Sequence, residues 1–255
     1  MTARTGLPGA GPAPLHRVVA AQTRMELRLR LRHGETLLLT IVIPVVLLLF
    51  FATVDLVDTP GDEPLDFLVP GILALAVMST AFTGQAIATA FERSYGVLKR
   101  LGATALPRWG LLAAKTAAVL VVELVQWVLL GSVGVALGWR PELAGIPAAV
   151  LFLVLGTAAF SGLGLLMAGR LRAEATLAAA NGLYVVLLLA GGLIVPLDRL
   201  PGPLEAAGRL LPTAALADGL RSALTAGSLD GGAAAVLVAW SAVLLAAAAA
   251  TFRWE

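Results

Sequence analysis

Apolar residues in this chain come in long runs, and polar residues are swept into the stretches between them. Six runs occupy 36–54, 67–90, 110–138, 143–168, 175–197 and 233–251. The first holds 19 residues without a charge. As a helix rising ~1.5 Å per residue it would measure about 28 Å, close to the ~30 Å hydrocarbon core of a bilayer. The runs lack the period-two alternation of a half-buried strand and exceed ordinary strand length, so the pattern predicts helices. Pro44 and Pro147 fall within runs and are expected to kink or end helices locally.

The stretches between the runs are patterned too. In 15–35, Leu15, Val18, Met25 and Leu29 share one helical stripe, and Arg17, Arg24 and Arg28 share the adjacent one. That predicts an interfacial amphipathic helix, arginines at anionic headgroups and apolar stripe among acyl chains. Leu27 and Leu31 fall off the stripe; the alternative is a basic segment that only fixes topology. Residues 1–14 are rich in Gly, Pro and Ala and are expected to be disordered. A signal peptide is not expected, because the first strong apolar run begins at Leu37 and is long enough to span.

Residues 196–232 are too many for a structureless loop. Leu204, Ala207 and Leu211 share a helical face, as do Leu216, Leu220 and Leu224, with Pro201, Pro203 and Pro212 as punctuation. Two short helices that dip into the outer leaflet and close a pathway are expected, with a solvated lid as the alternative. Between the second and third runs, 91–109 reads FERSYGVLKRLGATALPRW. Tyr95, Val97, Leu98 and Leu101 give it an apolar edge, and Arg93, Lys99 and Arg100 a charged rim, with Glu92 also in the candidate docking set. The residues alone allow either a docking surface or a solvated basic turn.

Composition fixes the class. The chain has 255 residues, 59% hydrophobic and 13% charged. Soluble domains carry about 25% charged residues, so the fold is read as an all-α integral membrane protein, one six-helix domain over 36–255. The absence of Cys excludes disulfides and thiolate metal sites. His16 and His33 both precede the first run, so the Phe160-Ser161-Gly162 stretch has no membrane-embedded His with which to build a serine protease. The sequence contains no His-Glu-x-x-His and no Gly-x4-Gly-Lys-Ser/Thr phosphate loop. No cofactor or metal is expected on the chain, and no nucleic-acid partner.

Charge then sets orientation. Arg4, Arg17, Arg24, Arg28, Arg30, Arg32, Arg93, Lys99, Arg100, Arg108, Lys115, Arg170, Arg172 and Arg253 fall on one side of the six runs. Arg140, Arg199, Arg209 and Arg221 fall on the other, where 55–66 carries Asp55, Asp58, Asp62, Glu63 and Asp66 and no basic residue. The positive-inside rule predicts that both termini are cytoplasmic.

Within the runs, Glu123 stands near the middle of the third, with Gln126 one helical turn on. A charge at bilayer centre costs about 2.5–3.5 kcal/mol on insertion scales, so Glu123 should face a cavity, meet a partner or be protonated. It is a candidate contact for a cationic substrate. The alternative is a neutral acid hydrogen-bonded across a dimer or to Asn181 or Gln85. Lys115, about two turns nearer the basic side, is expected to snorkel outward. Ser79, Thr80, Thr83, Gln85, Asn181 and Tyr184 are further candidates to line a pathway. Glu123 also motivates a second functional reading, a proton-coupled secondary transporter, although no inverted repeat is visible.

Four stretches carry a resemblance that covers the chain from Leu15 onward. They are the basic segment leading to a run with Ile43-Pro44 inside it, FERSYGVLKRLGATALPRWGLLAAK at 91–115, GLGLLMAGRLRAEATLAAAN at 162–181, and GGLIVPLDRLPGPLEAAGRLLPTAALADGLR at 191–221. In this order and spacing the chain resembles the membrane subunit of a type-2 ABC exporter, the class that includes daunorubicin-resistance-type permeases. An acid at Glu123 departs from the family pattern. The resemblance implies a permease in a bacterial plasma membrane that moves a hydrophobic or amphipathic small molecule, drug or lipid outward. It implies pairing with a second permease, the same or related, and with two copies of a cytoplasmic ATPase that binds ATP and Mg. The 91–109 stretch would then supply the helix that docks on the ATPase.

Overall fold

The computed structural model describes residues 14–32, 34–54, 63–104, 106–194, 196–199 and 201–254. Residues 1–13 of the tail expected to be disordered (1–14), His33, and Asp55, Asp58 and Asp62 of the acidic loop lie outside the described residues. Helices follow one another as α1 (Leu15–Arg32), α2 (Gly34–Thr53), α3 (Pro64–Ser94), α4 (Val97–Gly102), α5 (Arg108–Ala136), α6 (Ile146–Ala168), α7 (Ala173–Ala190), α8 (Gly202–Arg209), α9 (Pro212–Ala226) and α10 (Gly231–Thr251). The described residues contain no strand. Five helices are long and apolar enough to cross a membrane: α3, α5, α6 with the turn before it (Leu143–Ala168), α7 and α10. A shorter apolar stretch, Thr40–Thr53, lies in α2. The chain is an all-α integral membrane protein.

Local chemistry explains most helix ends. Pro147 sits in the first turn of α6 and starts that helix instead of kinking it. Pro44 lies inside α2. Asp230 caps α10, its carboxylate accepting from the Ala233 amide at 3.0 Å. The run expected to continue to 197 ends as a helix at Ala190, because Gly192 takes φ +65° and turns the chain.

Lipid offers no hydrophobic driving force between spanning helices, so close packing must hold them. α6 supplies it, lying against α10, α9 and α3. A Cβ on Gly162 would stand 2.9 Å from Leu244 Cβ, and one on Gly164 2.8 Å from the Phe82 carbonyl oxygen. α3 is the most enclosed span, 83% of its apolar window buried against 22% in α7. Its middle, Met78–Gly84, is a π-helical stretch. α9 is part of this core: Leu216 and Leu220 are fully buried, and α9 packs on α3, α6 and α10. The two short helices expected before the last span are α8 and α9, and the Leu216 and Leu220 face of α9 is turned into the bundle.

Candidate functional site

α1 slopes along α5. Val18 packs beside Leu98, Leu106, Leu111 and Phe252 near the start of α5, whereas Arg30 reaches Gln85 in the middle of α3. Glu26, the single acid of α1, is turned inward and buried. Lys115 Nζ donates to Glu26 Oε2 at 3.0 Å and to Glu92 Oε2 at 2.6 Å. Gln22 Nε2 donates to the other Glu26 oxygen at 2.9 Å. One cation thus ties α1 and α3 to α5. Lys115 is fully buried and does not snorkel, because two carboxylates reach it where the sequence alone offered only water.

Deeper in, Arg30 donates to Gln85 Oε1 at 3.3 Å, and Gln85 is fully buried. Burial lowers the Arg30 guanidinium from its ordinary value, while Glu26, Glu92 and Glu123 pull it back up. Thr80 in the π-helical stretch donates to Gln126 Oε1 at 3.1 Å, and Gln126 Nε2 donates to the Thr40 carbonyl at 2.9 Å. Glu123 turns the other way, accepting from the Thr157 hydroxyl of α6. Thr83 is half-buried, and its hydroxyl has no partner among the described residues. Asn181 is exposed, with its amide on its own helix's Leu177 carbonyl at 2.9 Å. Tyr184 is half-buried and meets Ser79. The expected pathway candidates therefore fall into three groups: Gln85 and Gln126 between α1, α3 and α5, Glu123 against α6, and Asn181 with Tyr184 on α7. Sequence reasoning missed Glu26 and Thr157. Glu26 had a signal, as an acid among arginines beside the Met25 and Leu29 stripe.

A cavity of about 490 Å³ lies between α1, α3, α4 and α5. It runs from Tyr95 and Val97 at the basic end to Thr80, Thr40 and Val122 at depth. A second, of about 600 Å³, opens at the other end of the bundle, where Arg221 joins α9 to its neighbours. That guanidinium donates to the Gly192 carbonyl at 2.8 Å and to Asp218 at 3.1 Å, and stacks 3.7 Å over the Phe67 ring. Burial pushes it down to about 10 despite Asp218, which leaves it a cation at neutral pH.

At the basic end, Gly96 takes φ +73°, so α3 ends and α4 starts in a new direction. Leu98 is fully buried, where the sequence predicts part of an exposed apolar edge. The exposed apolar positions are Tyr95, at 74%, and Val97, with Leu101 half-buried. Lys99 and Arg100 are exposed, while Arg93 is half-buried and donates to the Leu171 carbonyl. Glu92 points to Lys115.

Residues 17–225, from the sloping helix to the end of α9, match the ABC-2 type transporter family. The chain belongs to that family. It is the permease of an ABC transporter, a multi-pass membrane transport subunit and not a catalytic one. ABC-2 permeases generally work with ATPase subunits. A search of curated proteins finds no match.

Proposed function

We propose that the permease exports a hydrophobic or amphipathic compound, drug or lipid in a bacterial plasma membrane, driven by a separate ATPase that docks on α4. The observation that carries this is the two-sidedness of α4. Leu98 anchors it to the bundle, while Tyr95, Val97, Lys99 and Arg100 stand exposed. Aromatic residues and Arg are enriched in protein interfaces, as Tyr95 and Arg100 are here, and Lys99 adds charge at the rim. In this reading both termini are cytoplasmic, two ATPase copies bind ATP and Mg, and a second permease completes the assembly. The outward apolar residues of α2 and α7, among them Val42, Val46, Val185 and Leu189, supply surface for lipid or for that second permease.

Co-expression with an ABC ATPase and affinity capture of the permease tests the docking. Lys99→Glu with Arg100→Glu, or Tyr95→Asp, should reduce ATPase recovery at least tenfold while the permease still inserts and unfolds at its usual temperature. Undiminished recovery from all three substitutions rejects α4 as the docking element. Arg93 and Leu98 are unsuitable probes, because both hold the fold.

A further inference from the structure

We propose that the cavity between α1, α3, α4 and α5 binds an anionic amphiphile, an apolar chain bearing a phosphate or carboxylate, with the anionic group at Arg30. The binding site lies within one chain and requires no ATPase, so its failure would leave the docking reading standing.

Size and shape come first. About 490 Å³ is within the ~300–1,000 Å³ of small-molecule sites. The lining follows α3 from Thr80 to its end and reaches Tyr95 just beyond it, so the cavity extends about 20 Å and suits a chain more than a compact ligand. Met25, Leu29, Phe91, Leu101 and Val122 give it an apolar wall. Thr80 and Gly84, at its deep end, belong to the π-helical stretch of α3. Such stretches are rare and are found often at functional sites.

Charge decides the headgroup. Three charged side chains line the cavity: Glu26, Glu92 and Arg30. Both carboxylates already hold the buried Lys115, and Glu26 also accepts from Gln22. Arg30 is differently placed. Among the described residues it makes one hydrogen bond, to the neutral Gln85, and no ion pair. Its Nε is enclosed without a partner, as is the adjoining Gln85 Nε2. Glu123 is within electrostatic reach, but among the described residues no hydrogen bond or ion pair joins it to Arg30: one carboxyl oxygen meets Thr157 and the other has no partner. A guanidinium offers five donors in a fork that matches phosphate and carboxylate oxygens. A cationic headgroup would find the carboxylates taken and the arginine repelling it.

Thermal unfolding of the full chain in neutral detergent reads the binding, since a ligand of the folded state raises Tm. Oleate and monooleoyl glycerol phosphate should raise Tm saturably. Monoolein, uncharged with the same chain, and inorganic phosphate, charged without a chain, should not. Arg30→Gln should weaken the two anionic amphiphiles at least tenfold, and Arg30→Lys less. Ala88 is an exposed residue of the cavity wall, so Ala88→Trp should fill the space with Arg30 intact. It should abolish the shift without moving the starting Tm, and it decides the matter if Arg30→Gln does not fold. Monoolein as effective as oleate, phosphate effective alone, or an undiminished shift in Ala88→Trp overturns the proposal.

Discussion

Lys115 is buried about two turns into α5 and neutralises carboxylates from two other helices. Removing it leaves Glu26 and Glu92 facing each other unpaired. Breaking such a buried group costs about 3–5 kcal/mol, so Lys115→Met should lower Tm, and adding Glu26→Gln should recover part of the loss. Calorimetry of the purified chain checks both. The pairing was invisible in the sequence because its partner on α1 lies 89 positions away. Glu123 and Gln126 teach a related lesson. Three residues apart on a helix, they differ by about 60° around the axis, enough for one to meet α6 and the other α3. The Thr157 hydroxyl has one hydrogen for two acceptors, Glu123 and the Leu153 carbonyl at 2.7 Å. An amide in place of Glu123 would supply the second hydrogen, leaving the Thr157 hydroxyl to donate to Leu153. Glu123→Gln should therefore leave Tm within about 2 °C. A fall in export of cationic compounds by this stable variant would make Glu123 a substrate contact.

Among the elements, α1 was legible as a helix from its stripe of Leu15, Val18, Met25 and Leu29, but its slope was not. The slope depends on Glu26 and Arg30 finding partners on other helices. The π-helical stretch of α3 likewise left no mark in the hydrophobic period. A helix within 91–109 was legible through the family resemblance, yet the inward side of α4 depends on residues far along the chain. Trp254 and Phe252 meet edge to face, with ring centroids 5.9 Å apart, and a Cβ on Gly102 would lie 2.9 Å from the Trp254 ring. The C-terminal aromatics thus hold α4 to the bundle. Trp254 is half-buried, so Trp254→Ala should cost about 1–3 kcal/mol, below the full loss for a buried Trp. Gly102→Val should push the ring aside. In both variants, hydrogen exchange across α4 should quicken while α6 and α10 stay protected.

For the whole molecule, run length and charge asymmetry were enough to predict a bundle of membrane helices, and four motifs were enough to suggest its family. Which surfaces remain outside was not legible, because α9 and the apolar faces of α2 look alike in one dimension. The orientation proposed from the basic residues has its own test. The sequence contains no Cys, so single cysteines report cleanly. Leu229→Cys should react in intact cells with an impermeant thiol reagent, and Ala103→Cys, beside α4, should not. Labelling at Ala103 would invert the molecule and place α4 outside. If α4 joins this permease to an ATP-hydrolysing partner, the rate of ATP hydrolysis by an ABC ATPase co-reconstituted with the permease in proteoliposomes reads that joint. The wild-type permease should change this rate, and Lys99→Glu with Arg100→Glu should abolish the change without lowering permease Tm. A rate that responds equally to wild type and variant, or an ATPase indifferent to both, would contradict docking at α4.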